Sequence, residues 1–371
     1  MSRAKRLAEV IHASLKEALP GLRKTILNKL PLAVSAMLEA RTPYTQELIV
    51  SLPLDTERAD MREQWLRRLL ENPLVDGAAI LEPFAKQALA RAAQGGQTIQ
   101  LLMDQTDLGD HAALLMLSLS VGSRALPLLW RVQAGPANLG WEDQYALLSA
   151  VQAWLPEGAS VMLLADRFYP SVKLLRWVQE ANWRYRLRLK GNITVDVGQP
   201  EIATTGDLAA GVTSRFEPHA HLFAEAIPTA IGVLHEKGHP EPWIIAMDGT
   251  PNRAAVLDYG ARWGIEPQFS DFKSRGFCLE DTHLRDPQRI SCMVLIMALA
   301  MYWCVQTGRD DALRHPTPTE KKPVKTPEPI ISASERPPGA PFLGSSAGLR
   351  LLLRVAASNV PLPPFFAPLR L

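Results

Sequence analysis

Two short apolar runs, each closed by an aspartate, constrain this chain more than anything else in it. TIQLLMD at 98–104 and SVMLLAD at 160–166 are too short for core helices, so each reads as a buried strand with its carboxylate at the end. Between them, apolar runs at 112–121 and 125–133 are separated by Gly122 and Ser123, the pattern of a hairpin, and 141–155 has helical spacing before Pro156 and Gly158 punctuate it. Strands mixed with helices in this way make an α/β fold around one sheet. If the two aspartate-ended strands pair, Asp104 and Asp166 emerge side by side, a frequent way to build a site on an open sheet. Two ordinary strand-end residues would look the same.

A second stretch bears on that choice. In YGARWGIEPQFSDFK, 259–273, the polar residues Tyr259, Arg262, Glu266 and Lys273 recur at spacings that helical geometry brings within roughly 60° of one another. Pro267 interrupts, because proline lacks a donor and disfavours helical geometry in the residue before it, so a kink or a new helix is expected at Pro267. A face with one carboxylate, a phenol and two cations suits a metal ion beside a phosphate better than it suits a core. A solvated helix face is the plainer reading of the same residues.

Composition excludes the exotic classes. The 371 residues are 47% hydrophobic and 21% charged, ordinary for two or three globular domains. Cys278, Cys292 and Cys304 are too few and too late for a disulfide framework or a CxxC metal site, which fits a reducing cytoplasm. The start is basic without the apolar core of a signal peptide, and the longest apolar run, 292–305, falls short of a membrane span, so no membrane partner is expected. Net charge is only +2, yet 1–30 and 167–191 each hold seven Lys or Arg against two and one Glu respectively. Two concentrated basic segments suit a polyanion.

Tyr, two residues, Arg, three residues, Glu, six residues, Lys resembles the Y-R-E-K signature of cut-and-paste insertion-sequence transposases of the DDE type, and Trp263, Ile265 and Phe269 match beside it. Asp104, Asp166 and Glu266, with D-Q-T and A-D-R-F-Y as lesser motifs, look like the catalytic core of the same enzymes over about 98–308. The resemblance implies a ribonuclease-H-like mixed sheet core (96–190 and 241–310), an N-terminal helical domain for DNA (1–95), a β-rich insertion (191–240) and a proline-rich linker and tail (311–371) that pairs subunits. It implies two Mg²⁺ ions, with Mn²⁺ as a substitute, on Asp104, Asp166 and Glu266. The DNA partners would be the terminal inverted repeats and a target duplex, bound by a homodimer in a bacterial cytoplasm. Tyr259, Arg262 and Lys273 would hold the phosphate near the cut.

WRYRLRLK, 183–190, alternates apolar and basic residues, so Arg184, Arg186, Arg188 and Lys190 should share one cationic strand face toward DNA, or else protect an exposed edge. Arg275 lies in a basic turn just past Lys273. Trp243 opens an apolar strand ahead of Glu266 and is either a platform for a flipped base or a buried strand residue. His219, His221, His235 and His239 are spaced too loosely, with no cysteine nearby, to argue for zinc. The run 290–308 should be a buried helix across the sheet, and LRLLLRVAAS a short amphipathic helix for docking or self-association.

Overall fold

The computed structural model describes residues 2–122, 124–136, 138–235, 240–273, 277, 279–315, 343–358 and 361–365. Arg275, Cys278, His239 and the proline-rich stretch 316–341 lie outside the described residues.

Five helices come first: α1 (Arg3–Ala18), α2 (Lys24–Ala40), α3 (Thr45–Ser51), α4 (Ala59–Leu70) and α5 (Gly77–Ala92). Ser2 caps α1 by accepting from the Lys5 amide at 3.3 Å, and Asp76 caps α5 through the Ala79 amide at 3.1 Å, so two orphan donors are satisfied locally. Apolar stripes at helical spacing face inward: Leu7, Ile11 and Leu15 are buried, as are Leu66, Leu69 and Leu70.

The sheet then forms in order: β1 (Ile99–Leu108), β2 (Ala112–Val121), β3 (Arg124–Ala134), α6 (Trp141–Gln152), β4 (Val161–Ala165), α7 (Val172–Glu180), β5 (Arg184–Arg188), β6 (Val195–Asp196), α8 (Thr205–Ala209), β7 (Ser214–Leu222), β8 (Ile227–Leu234) and β9 (Trp243–Met247). All nine strands share one mixed sheet, ordered β3-β2-β1-β4-β5-β9-β8-β7-β6. The runs 112–121 and 125–133 make the expected antiparallel hairpin. β1, β4 and β5 are parallel neighbours, and β9 returns antiparallel to β5. The segment 191–240 supplies β6, β7 and β8, which extend the sheet beyond β9.

Two expectations need correction. β1 does not end at Asp104, because its antiparallel ladder with β2 continues to Leu108 opposite Ala112. Nor is β5 an edge: it lies between β4 and β9 and has no open side to protect.

After β9 come α9 (Arg253–Leu257), a 3₁₀ turn over Asp258–Gly264, α10 (Ile265–Lys273), α11 (Pro287–Arg314) and, past the undescribed stretch, α12 (Leu343–Ala356). α11 starts sharply, with Asp286 accepting from the Arg289 amide at 2.9 Å and Pro287 in the first turn. It is the expected buried helix, but it packs on the edge strand β3: Tyr302 donates to the Pro127 carbonyl at 2.9 Å, and Trp130 donates to Ser291 at 3.0 Å. By length and a mean hydropathy of 1.8 it could cross a membrane, but 89% of that window is buried inside the protein, against β3, the N-terminal helices and α12. One hydrophobic core runs from the N-terminal helices through the sheet. α12 docks on α11 within the chain, with Gly348 where a Cβ would strike the Cys304 carbonyl.

Candidate active site

The site forms where β1 and β4 part. Their parallel pairing ends at Met103 opposite Ala165, so the next residue on each strand, Asp104 and Asp166, stands at the same level on neighbouring strands. Each carboxylate accepts from the amide that follows it in the chain: Asp104 Oδ1 from the Gln105 amide at 2.9 Å, and Asp166 Oδ1 from the Arg167 amide at 2.7 Å. Adjacency of the two aspartates follows from register alone. The side of β1 facing β4 is the side that stops at Asp104; the ladder to β2 runs on.

Tyr259, Arg262 and Glu266 converge on this point, though not along one α-helix, whereas Lys273 reaches β1 further on, at Thr106 and Asp107. Tyr259 and Arg262 sit on the 3₁₀ turn and Glu266 opens α10, which begins at Ile265 rather than at Pro267. Pro267 then falls in the first turn, where a missing N–H costs no intrahelical bond. The change of helix type brings Gly264 so close to the sheet that an added Cβ would lie 3.1 Å from the Arg124 carbonyl oxygen and 3.5 Å from Leu102. Only a residue without a side chain lets the chain pass there and turn Glu266 over the end of β1.

Arg262 is the hub. Its Nη1 donates to Asp104 Oδ2 at 2.9 Å and its Nη2 to Glu266 Oε1 at 2.8 Å, while the Nε is buried with no hydrogen-bond partner. The Tyr259 hydroxyl donates to Asp166 Oδ1 at 3.3 Å, and Lys273 donates to the Asp107 carbonyl at 2.8 Å and to Thr106 Oγ1 at 3.3 Å. Tyr169, the last residue of the A-D-R-F-Y motif, joins the site without having been assigned a role from the sequence: its hydroxyl donates to Asp104 Oδ1 at 3.4 Å.

Burial dominates the electrostatics. Asp104 is pushed up to about 6, first by desolvation and further by Asp166 and Glu266, against the pull of Arg262 and the Gln105 amide. Burial also raises the phenols of Tyr259 and Tyr169. Burial works against the charge on Arg262, but Tyr259, Asp104, Asp166 and Glu266 outweigh it and hold the guanidinium firmly protonated.

Among the described residues, no group of three or more His, Cys, Asp or Glu is arranged to hold a metal ion. The donors nonetheless fit a hard divalent cation in chemistry: three carboxylates, two of which raise the third by repulsion that a cation would relieve. The charge that now offsets this repulsion belongs to Arg262.

The expected cationic face of β5 is largely neutralised. Arg186 is buried and pairs with Asp248 at 2.7 Å and Asp258 at 3.3 Å, and Arg184 pairs with Asp248 at 3.2 Å. Arg188 shares Glu241 with Arg167, at 3.3 and 2.9 Å. These acids arrive from β9 and its flanks, tens of residues later in the chain. Trp243 is also buried, packed edge-on against Tyr259 and Trp263 with ring centroids 5.5 and 5.1 Å apart. It is the strand residue of the two readings and props the 3₁₀ turn.

A mixed sheet with a parallel centre, a hairpin on one side, covering helices and carboxylates at the ends of adjacent central strands is a ribonuclease-H-like core of the transposase kind. Residues 140–303 match the family model described as a transposase DDE domain, and the protein carries that domain. The match contains Asp166, Tyr259, Arg262, Glu266 and Lys273, whereas Asp104 precedes it. No curated protein matches the sequence.

Proposed function

We propose that this transposase excises and inserts a DNA element by metal-dependent nicking and strand transfer, with Asp104, Asp166 and Glu266 as the acidic centre. The single observation that supports this most is the register of β1 and β4, which sets Asp104 beside Asp166 and within one arginine of Glu266.

In nicking, water forms a bond to phosphorus, the bond to the 3′ oxygen breaks, and that oxygen leaves as a hydroxyl. In transfer, the freed 3′ hydroxyl loses its proton and its oxygen bonds to the phosphorus of another phosphodiester, either across the duplex to make a hairpin or in target DNA, while the bond from that phosphorus to its own 3′ oxygen breaks and that oxygen leaves as a hydroxyl. Two Mg²⁺ ions held by the three carboxylates would activate the attacking oxygen and stabilise the leaving one. Asp104, with its raised pKa, sits on the strand whose far end Lys273 anchors through Thr106 and Asp107. Arg262 and Tyr259, once released from the carboxylates, are placed to hold the phosphate that approaches them. The DNA would be the terminal repeats and a target duplex, engaged by a homodimer in the cytoplasm, with Arg188 and Lys190 contributing to the backbone contact.

The test is Mg²⁺-dependent nicking of DNA carrying the element's terminal repeats. Asp104→Ala is expected to bind these ends and leave them uncut; cutting at the wild-type rate would remove Asp104 from the centre. Joined donor and target products distinguish a transposase from a nuclease that only hydrolyses.

A further inference from the structure

Phe168 stands out on the rim of the site. It lies two residues past Asp166, and 65% of its surface is in solvent, while Tyr169 beside it is buried against Asp104. A lone exposed aromatic is unremarkable in itself. Its surroundings are not. The ammonium of Lys190 stands 4.5 Å from the ring centroid and the guanidinium carbon of Arg167 stands 5.9 Å away. Arg188 lies close by, sharing Glu241 with Arg167. A solvent-exposed ring with cations lying over it offers both parts of a site for an unpaired nucleotide: a base can take the place of a cation on the ring while the displaced charge meets the backbone phosphate.

We infer that Phe168 stacks on one unpaired nucleobase of the strand being cut, while Lys190 and Arg167 take the neighbouring phosphates. The inference rests on the proposed DNA-processing function. Trp243 is closed to this role because its rings are spent on Tyr259 and Trp263. In an intact duplex both faces of a base are covered by its neighbours, so Phe168 accepts only a base at a melted end or one lifted from the stack. The residue therefore favours DNA that is locally open next to the carboxylates.

The full chain can be tested on a forked duplex with calcium in place of magnesium, replacing one nucleotide at a time around the fork by an abasic unit. Wild type should lose affinity roughly 5- to 150-fold at one position, the range seen when one base–aromatic stack is removed. Phe168→Ala should bind the intact fork more weakly by a similar factor and be indifferent to the abasic unit there; Phe168→Trp should restore both affinity and dependence. If Phe168→Ala binds the intact fork like wild type, or if its loss simply adds to that of the abasic unit, Phe168 does not stack on DNA. Should wild type bind neither fork, the DNA-processing reading itself falls.

Discussion

Arg262 donates to Asp104 at 2.9 Å with its guanidinium and the carboxylate both largely shielded, the side chains being 7% and 18% exposed. The same guanidinium holds the more exposed Glu266 at 2.8 Å. One buried cation thus ties together two acids that sit 162 residues apart in the chain. The pairing has consequences for stability, for pH dependence and for the tolerance of the turn that delivers it.

Replacing Arg262 with Met removes the counter-charge and leaves Asp104 buried beside two other acids. Breaking a buried pair from one side costs about 3–5 kcal/mol. Urea unfolding in chelator should register a loss of that order for Arg262→Met. Arg262→Lys should recover part of it, since one ammonium cannot make the two-armed contact. A stability equal to wild type for the Met variant would mean the pair carries no net weight.

The pH dependence follows from Asp104. Its folded value of about 6 lies above the usual 3.8, so the folded chain holds this proton more tightly than the unfolded one. The stability this confers is fully present below about 3.8 and is lost as pH rises through about 6. Asp104→Asn, neutral at every pH, should match wild type near pH 4 and exceed it near pH 8 by up to about 3 kcal/mol in metal-free buffer. Melting curves of the two proteins across that range check it, and parallel curves would argue against a raised Asp104.

At Gly264 the constraint is space. A Cβ there meets the Arg124 carbonyl at 3.1 Å, backbone that has no rotamer to offer. Gly264→Val should cost about 1–3 kcal/mol through overpacking and lift Glu266 from the end of β1. The expected result is a folded protein with a reduced melting temperature that binds DNA ends but nicks them poorly. Unchanged nicking would show that the 3₁₀ turn need not lie so close.

Much of the fold is legible locally, element by element. The strand that stops just before Asp166, the hairpin around Gly122 and the long apolar helix all appear because period, length and punctuation are properties of short stretches, whereas β1 runs past Asp104 because β2 continues to pair with it. The Pro267 expectation misplaced a boundary by two residues. Proline forbids a helix interior but is equally at home in a first turn, and the choice was made by Gly264 packing on β1 and β3.

The site divides the same way. Strand-end aspartates and the spacing of Tyr259, Arg262 and Glu266 pointed from the chain alone to residues that the fold brings into contact, since those patterns need no knowledge of what packs where. What the arginines do was decided in three dimensions. Alternation correctly put Arg184, Arg186 and Arg188 on one face of β5, but only the arrival of β9 alongside brought Asp248 and Glu241 to neutralise them. Likewise Trp243 is buried because the 3₁₀ turn lays Tyr259 and Trp263 against it. A side chain's charge and size are written in the sequence; its burial and its counter-ion depend on residues far away along the chain, which only the closed sheet brings near.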